Sequence, residues 1–203
     1  MTQLTPPCVI LNAPQLAENI GAVARVMANF GLYDLRLVRP RDGWPQERAW
    51  ASASGADWPL DNAKVFDRLE DAVADLSLVY ATTARPREAR LPVITPRQAA
   101  TELFGASTQG QAVGLLFGGE RAGLETLDIA LCQAIVTIPI DPKFHSLNLA
   151  QAVILVAYEW SRTGREIGGA GDALVQPTLE DVLPPAPQDE LDGLVAHFEK
   201  LLG

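Results

Sequence analysis

The chain has 203 residues, a formal net charge of −9 at pH 7 and 48% hydrophobic residues. A chain of this length can bury one hydrophobic core with at most a small appendage, as expected of a folded domain. No window approaches the apolar length that crosses a bilayer, and the N-terminus lacks a basic region with an apolar signal core. The sequence therefore predicts a cytoplasmic protein without a membrane span. Cys8 and Cys132 are too few for a disulfide framework and, with two histidines, offer no metal-ligand spacing.

Apolar runs and helical patterns alternate along most of the chain. Short apolar runs bounded by turn residues predict strands at residues 8–11, 35–38, 63–66, 76–81, 112–117 and 135–138. Helical spacing of apolar residues predicts helices at residues 18–30, 48–54, 69–74, 97–104 and 147–160. Residues 84–96 have no regular period and are interpreted as a loop. The last predicted helix is apolar nearly all round, which predicts that it is buried rather than amphipathic.

Strands that alternate with helices favour a doubly wound α/β domain with a mostly parallel sheet. Ligands of such sheets bind at the carboxyl ends of the strands. The loops after Ala81, Phe117 and Ile138 all lie at that end. The sequence therefore predicts one shared ligand site there.

Glycine and proline become dense after the last predicted helix of this domain. We interpret residues 1–162 as the domain, 163–188 as a Gly/Pro-rich linker and 189–203 as a C-terminal amphipathic helix. One short helix cannot bury its apolar face alone, so it is expected to pack on the domain or on a partner. The sequence leaves open whether this helix is the truncated part of a longer extension.

Three segments carry a resemblance to a known family. They are Asn19-Ile20-Gly21-Ala22-Val23-Ala24-Arg25, Phe117-Gly118-Gly119-Glu120-Arg121-Ala122-Gly123-Leu124, and Ile138-Pro139 through Ser146-Leu147-Asn148-Leu149-Ala150. In this order and spacing they resemble the three motifs of the SpoU-type (TrmH-like) RNA ribose methyltransferases, over roughly residues 7 to 162. Within that family the chain is most similar to the TrmJ-like branch, which methylates the 2′-oxygen of the first nucleotide of the tRNA anticodon loop (cytidine or uridine 32).

This resemblance implies a SPOUT fold with a C-terminal trefoil knot and a homodimer that acts on tRNA. It implies S-adenosylmethionine as the methyl donor, with no metal. By position in the motifs, the donor contacts fall on Thr82, Thr83, Ala84, Gly118, Ile138, His145, Ser146 and Leu147.

The resemblance also implies a set of catalytic residues: Arg25, Asn19, Glu120, Ser146 and Asn148. A guanidinium is effectively always protonated in proteins, so Arg25 is expected to bind a phosphate or the developing 2′-oxyanion rather than act as the base. Asn19 and Glu120 are expected to orient Arg25 and the loops. For Asn148, a hydrogen bond to the reactants and a structural role in fixing the backbone both remain open.

The chain departs from the TrmJ-like pattern at two positions. Gly119 stands where an arginine is usual, and Phe144 stands where a tyrosine is common. The first departure removes a phosphate contact that Arg121 could replace, and the second removes a hydroxyl. Both bear on the substrate more than on the reaction type.

An acidic protein needs local basic patches to bind RNA. Two candidate patches are Arg36, Arg39, Arg41 and Arg48, and Arg85, Arg87, Arg90 and Arg97. An ordinary solvated surface is the alternative interpretation. Trp44, Trp50 and Trp58 could stack an unpaired base or serve as half-buried anchors.

Three alternative functions are weighed against tRNA methylation. The same chemistry could act on rRNA, or the chain could be a catalytically silent RNA-binding dimer with this fold. A nucleotide-binding oxidoreductase is disfavoured, because no G-x-G-x-x-G follows the first strand.

Overall fold

The computed structural model of the chain describes residues 4–84, 90–144, 146–167 and 187–202. The strands in these residues are β1 (Cys8–Asn12), β2 (Leu35–Val38), β3 (Lys64–Phe66), β4 (Leu78–Thr82), β5 (Val93–Ile94), β6 (Val113–Gly118) and β7 (Ala134–Val136). The helices are α1 (Ala17–Asn29), α2 (Glu47–Ala53), α3 (Trp58–Asp61), α4 (Leu69–Val73), α5 (Pro96–Thr108), α6 (Thr126–Ala130), α7 (Leu149–Ile167) and α8 (Gln188–Leu202).

The strands form one sheet in the order β3-β2-β1-β6-β4-β7-β5. Every pairing in it is parallel. Because β6 lies between β1 and β4, Asn12 pairs with Gly118, and Thr82 pairs with both Phe117 and Val136. The carboxyl ends of these strands therefore meet at one edge of the sheet. The predicted parallel α/β class is confirmed; the trefoil knot stays a prediction, because strand order alone does not define it.

Alternation along the strands separates two cores, one on each face of the sheet. In β1, Val9 and Leu11 pack in the core formed with α1, α2, α3, α5 and α7. Cys8 and Ile10 point the other way, into the core formed with α4 and α6. Helices on both faces make the sheet doubly wound, as predicted.

Three short elements were not predicted: helix α3, strand β5 and helix α6. Residues 84–96 were interpreted as a loop, yet Val93 and Ile94 pair with β7 as an edge strand. Helix α6 lies in a stretch that was interpreted only as a polar passage. Its start is stabilised by a capping box between Glu125 and Asp128. None of the three is long enough to show a clear hydrophobic period.

Helix α7 differs from the prediction in burial and in length. It was predicted to be buried all round, but Ile154, Leu155 and Tyr158 are 39%, 40% and 47% exposed. The prediction was wrong because one face, including Val153 and Trp160, is enough to cover the sheet. The helix also continues to Ile167, so residues 163–167 of the predicted linker are helical. Residues 168–186 of that linker lie outside the described residues, and its last residue, Gln188, begins α8.

The chain divides into two compact units, Met1–Gly169 and Ala170–Gly203. Helix α8 belongs to the second unit and lies where an amphipathic helix was predicted. Among the described helices, none combines the length and apolarity that a bilayer span needs. Both cysteines are free and buried, and burial raises the pKa of each thiol to about 12, so neither is a reactive thiolate.

Candidate functional site

A cavity of about 190 Å³ lies at the carboxyl edge of the sheet. Three adjacent strands supply its walls: β4 ends at Thr82, β6 ends at Gly118, and Ile138 follows β7. The first turns of α7 close one side through Leu149 and Ala152. The loops that were predicted to share a ligand site therefore do meet in one cavity.

The cavity is lined by seven of the residues that the resemblance implies as donor contacts: Thr82, Thr83, Ala84, Gly118, Ile138, Ser146 and Leu147. The eighth, His145, lies outside the described residues. Their roles as donor contacts stay a prediction. Sequence reasoning missed the apolar lining by Phe117, Leu124, Ile140, Leu149 and Ala152. Only the spacing of Leu149 and Ala152, three residues apart in a helix, could have indicated part of it.

The glycine turn, residues 118–123, forms the floor of the site with its bare backbone. A Cβ on Gly118 would lie 2.3 Å from the carbonyl carbon of Gly123, and one on Gly119 would lie 2.2 Å from the carbonyl oxygen of Ala13. The amide of Gly123 donates to the carbonyl oxygen of Gly119 at 2.8 Å. The glycine at 119, where TrmJ-like sequences usually have arginine, thus accompanies a close approach of this turn to the end of β1.

Glu120 projects from the glycine turn toward the start of α1. Its Oε2 accepts from the amide of Gln15 at 2.8 Å, and its Oε1 accepts from the amide of Leu16 at 3.3 Å and from Asn19 Nδ2 at 2.6 Å. The N-cap residue of α1, Leu16, has no side-chain acceptor of its own. Glu120 therefore stabilises the start of α1 from a distant part of the chain, and both of its carboxylate oxygens are engaged.

Asn148 links the start of α7 to the same group. Its Nδ2 donates to Asn19 Oδ1 at 2.9 Å, and its Oδ1 accepts from the amide of Ala150 at 2.9 Å. Asn148, Asn19 and Glu120 thus form a continuous hydrogen-bonded chain, called here the amide relay. Of the two roles left open for Asn148, the structural one is observed: it caps α7 and ties it to α1.

Arg25 lies apart from this group. It is exposed on α1, and its Nη1 donates to Ser54 Oγ at 3.3 Å at the end of α2. It is not among the described residues that line the cavity. The contacts of Asn19 and Glu120 go to Asn148 and to the start of α1 instead, so the expectation that these two residues orient Arg25 is not met within one chain.

One observation favours a bound ligand in the cavity. Thr82 Oγ1 is buried and has no hydrogen-bond partner among the described residues, and a buried polar atom of this kind ordinarily finds one. The glycines at 118 and 119 instead allow close contacts within the protein, since a Cβ there would meet the backbone of Gly123 and Ala13. Backbone polar groups beside apolar walls suit a ligand with both a polar chain and an apolar ring, such as a nucleoside derivative.

The first predicted basic patch is wrong at Arg36. This residue is only 4% exposed and ion-pairs with Asp34 at 2.7 Å. It also donates to Asp75 Oδ2 at 2.9 Å. Its alternating position in β2 points it into the protein, where these carboxylates and the carbonyl oxygen of Ala72 satisfy it. Arg36 therefore supports the fold and is not available to RNA.

The other arginines of that patch are exposed: Arg39, Arg41 and Arg48. Arg41 pairs with the neighbouring Asp42 at 2.7 Å, and Arg48 lies 3.6 Å from Glu18. Of the second patch, Arg90 and Arg97 are exposed, and Arg85 and Arg87 lie outside the described residues.

The tryptophans pack mainly against other aromatic rings of the protein. Trp44 and Trp50 are half-buried and stack on each other with centroids 5.1 Å apart. Trp58 contacts Tyr33 with centroids 5.5 Å apart. Trp50 Nε1 also donates to Asp61 at 2.9 Å. These contacts favour the interpretation of Trp44 and Trp50 as anchors.

The fold and the site together define a class of protein. It is a doubly wound, parallel α/β domain with a cavity at the carboxyl ends of β4, β6 and β7, built from a glycine turn and the segment before a long helix. Residues 6–158 match the SpoU rRNA Methylase family.

Individual relatives narrow the comparison. The chain is 39% identical over 186 residues to the tRNA (cytidine/uridine/adenosine-2′-O-)-methyltransferase TrmJ of Pseudomonas aeruginosa (strain UCBPP-PA14). The matched region covers 91% of this chain and 72% of that protein. The crystal structure of TrmJ from Z. mobilis ZM4 matches with a TM-score of 0.74 and 52% identity over 98% of this chain and 80% of that one. AviRb from Streptomyces viridochromogenes, a SpoU methyltransferase solved in complex with AdoMet, shares the fold with a TM-score of 0.62 at 20% identity, over 80% of this chain and 59% of its own.

The chain therefore belongs to the SpoU methylase family and, within it, to the TrmJ group. The resemblance drawn from the three sequence motifs is confirmed.

Proposed function

We propose that this protein is an S-adenosylmethionine-dependent tRNA 2′-O-ribose methyltransferase of the cytoplasm. We propose the first nucleotide of the anticodon loop, a cytidine or uridine, as its target. The observation that carries this proposal is the meeting of all three family motifs around one site, through the cavity and the amide relay. The TrmJ relatives, which carry tRNA 2′-O-methyltransferase names, support the substrate.

When bound, S-adenosylmethionine supplies a sulfonium methyl group that an attacking 2′-oxygen can accept. The backbone of the glycine turn and the 146–147 segment would hold the donor, with Thr82 Oγ1 as a further polar partner. Apolar walls formed by Leu124 and Ile138 would exclude water from the donor. Positioning of this kind can lower a transfer barrier by several kcal/mol.

The residues of the amide relay act by position rather than as proton acceptors. Glu120 already accepts three hydrogen bonds from fixed N–H groups, so it is poorly placed to take a proton from the ribose. The guanidinium N–H groups of Arg25 are suited to donate to a phosphate or to the developing 2′-oxyanion. Ser146 is exposed at the cavity and can hydrogen-bond the ribose hydroxyl or the donor.

A homodimer completes the proposal. Arg25 does not line the cavity of its own chain, so a second copy is the simplest source of an arginine there. The exposed Ile154, Leu155 and Tyr158 on α7 offer an apolar face, and Tyr158 contacts Phe30 at the end of α1 with centroids 6.4 Å apart. Mixing Arg25→Ala chains with chains that carry an obstructed cavity tests this directly. Restored activity in the mixture supports a shared site, whereas a mixture without activity contradicts it.

The experiment that tests the function is transfer of labelled methyl from the donor to RNA. Purified protein is incubated with bulk tRNA or with rRNA, and digested nucleosides are analysed by mass spectrometry. We expect 2′-O-methylcytidine or 2′-O-methyluridine in tRNA only, mapped to the first anticodon-loop nucleotide. Labelled rRNA would favour the first alternative, and RNA binding without transfer would favour a silent binding protein.

A further inference from the structure

Gln151 lies outside the three family motifs and does not line the cavity, yet it contacts the amide relay. It is the third residue of α7, and its Oε1 accepts from the amide of Asn148 at 3.0 Å. In return, Asn148 Oδ1 accepts from the amide of Ala150 at 2.9 Å. The two side chains together cap α7, an arrangement that the spacing Asn148-x-x-Gln151 could have indicated from the sequence.

The contact between Asn148 Oδ1 and the amide of Ala150 sets the direction of the side-chain hydrogen bonds in the amide relay. A backbone N–H only donates, so Asn148 must turn Oδ1 toward Ala150 and Nδ2 toward Asn19. Asn19 then meets it with Oδ1 and presents Nδ2 to Glu120 at 2.6 Å. A carboxylate only accepts, so Glu120 at one end of the amide relay requires the same bond directions as the amide of Ala150 at the other end. The polarity is fixed at both ends by groups that cannot reverse.

We propose that Gln151 is a positioning residue for methyl transfer, an inference that rests on the proposed function. By accepting from the amide of Asn148, it fixes the Leu147–Asn148 peptide, which directly follows the cavity residues Ser146 and Leu147. Through Asn148 and Asn19 it also fixes Glu120 and the glycine turn, which line the same cavity. Without the Gln151 acceptor, these two parts of the lining lose a common constraint.

The chain contains a matched control for the purely local role of such a cap. Helix α5 begins with the same pattern, in which Gln98 Oε1 accepts from the amide of Thr95 at 2.9 Å. Neither Gln98 nor Thr95 lines the cavity or bonds to the amide relay in the described part of the chain. Gln98→Ala therefore removes an equivalent helix cap without touching the site.

The test compares Gln151→Ala, Gln151→Glu and Gln98→Ala in the full chain. Both alanine variants are expected to lower Tm by about 2–4 °C, as loss of a helix cap does in a chain of this size. Only Gln151→Ala is expected to lower kcat on tRNA, by about tenfold, and to weaken calorimetric affinity for S-adenosylhomocysteine by roughly fivefold. Gln151→Glu keeps the acceptor and is expected to restore kcat to within about threefold of the wild type.

A double-mutant comparison separates an effect on kcat through the amide relay from an effect of losing a helix cap. The kcat effects of Gln151→Ala and Asn19→Ala should be non-additive because both act on one hydrogen-bonded chain, whereas Gln98→Ala and Asn19→Ala should add. A Gln151→Ala enzyme with wild-type kcat and affinity, or a Gln98→Ala enzyme with the same losses, would overturn the inference. If the wild type transfers no methyl to tRNA, the proposed function fails, and the affinities for S-adenosylhomocysteine still decide the role of Gln151.

Discussion

Asn148 Nδ2 donates a hydrogen bond to Asn19 Oδ1 at 2.9 Å across 129 residues of sequence. With the bond from Asn19 to Glu120, it joins one residue from each of the three family motifs. Of the three motifs, the second and third line the ligand cavity and the first does not. All three share a single set of directed hydrogen bonds. Helices α1 and α7 and the glycine turn are held in register by it.

The acceptor at the end of the amide relay provides the first prediction. In Glu120→Gln, one oxygen becomes an amino group that faces an N–H of Gln15, Leu16 or Asn19, so at least one contact becomes repulsive. We expect kcat for tRNA to fall about tenfold or more, because misplaced walls cost transition-state alignment. Steady-state methyl transfer measures this. Glu47→Gln, an exposed carboxylate in the first turn of α2, should leave kcat unchanged, and a Glu120→Gln enzyme of wild-type rate would contradict the positioning role.

The glycine of the first motif is predicted to act in packing rather than in ligand binding. A Cβ on Gly21 would lie 2.0 Å from the backbone oxygen of Ala49 on α2. Gly21→Ala should therefore lower the free energy of unfolding by about 1–3 kcal/mol, the usual cost of overpacking. Gly105→Ala is the control, since a Cβ there meets nothing within 4 Å and should gain about 0.5–1 kcal/mol in a helix interior. Urea denaturation measures both, and equal stabilities would refute the close contact.

Arg36 is predicted to stabilise the fold in a pH-dependent way. Its hydrogen bond lowers the pKa of Asp75 below the ordinary 3.8. For Asp34, burial alone would raise the pKa, but hydrogen bonds from Arg36 and Lys64 outweigh it and lower the pKa. Carboxyl groups with lowered pKa stabilise the protein above about pH 4 and lose that contribution as pH falls through their folded pKa.

Arg36→Met should therefore lower the free energy of unfolding by about 2 kcal/mol near neutral pH, because the side chain of Arg36 is buried while that of Asp75 is largely exposed. Between about pH 5 and pH 3 the wild type should lose more stability than the variant. Urea denaturation across this range measures the difference. Parallel losses in both proteins would show that the ion pairs contribute little, and an altered salt dependence of tRNA binding would return Arg36 to the RNA surface.

The parallel sheet was predictable from the sequence because its strands are continuous apolar runs covered on both faces. Arg36 shows where such reasoning fails: an arginine between two leucines looks like a surface residue until Asp75, 39 residues away, is known to face it. Strand β5 has two residues and no period to detect.

The candidate site was predictable in part. The ends of β4, β6 and β7 could be placed at one edge of the sheet, because parallel strands align their carboxyl ends. The separation of Arg25 from the cavity could not be predicted, since it depends on how far along α1 it lies and on its contact with Ser54. The amide relay also escaped prediction, because its bonds span 101 and 129 residues.

Arg25 provides a prediction that separates binding from catalysis. Arg25→Ala should leave the affinity for S-adenosylhomocysteine nearly unchanged, because Arg25 is proposed to contact the RNA rather than the donor, and it does not line the cavity of its own chain. Methyl transfer should fall by roughly a hundredfold or more, corresponding to about 3 kcal/mol of lost transition-state stabilisation. Calorimetry and transfer assays measure the two effects. Ser54→Ala removes the partner of Arg25 but keeps the guanidinium, so its rate should stay near that of the wild type. Collapse of donor affinity in Arg25→Ala would show that Arg25 holds the donor or stabilises the dimer, and would contradict its proposed role toward the RNA.

The last prediction concerns how a protein of net charge −9 holds an acidic polymer. The sequence after β4 contains Arg85, Arg87 and Arg90 and follows Thr82 and Thr83, which line the cavity, so these cations lie close in sequence to the proposed reaction site. Phosphate contacts make the logarithm of affinity fall with the logarithm of salt concentration, by about 0.9 per neutralised phosphate on duplex RNA or DNA and less on single strands. Replacing these three arginines by glutamine should weaken tRNA binding and flatten that slope by about one unit or more.

Filter binding at several salt concentrations measures the slope, with S-adenosylhomocysteine affinity as a check that the cavity is intact. A control that removes the same charge replaces Arg68, Arg162 and Arg165, of which Arg162 is paired with Glu166 at 2.7 Å and Arg68 lies 3.4 Å from Glu70. Its slope should match that of the wild type, because local contacts and not overall charge set the slope. An unchanged slope in the first variant would place the tRNA over the exposed arginines 39, 41 and 48 instead.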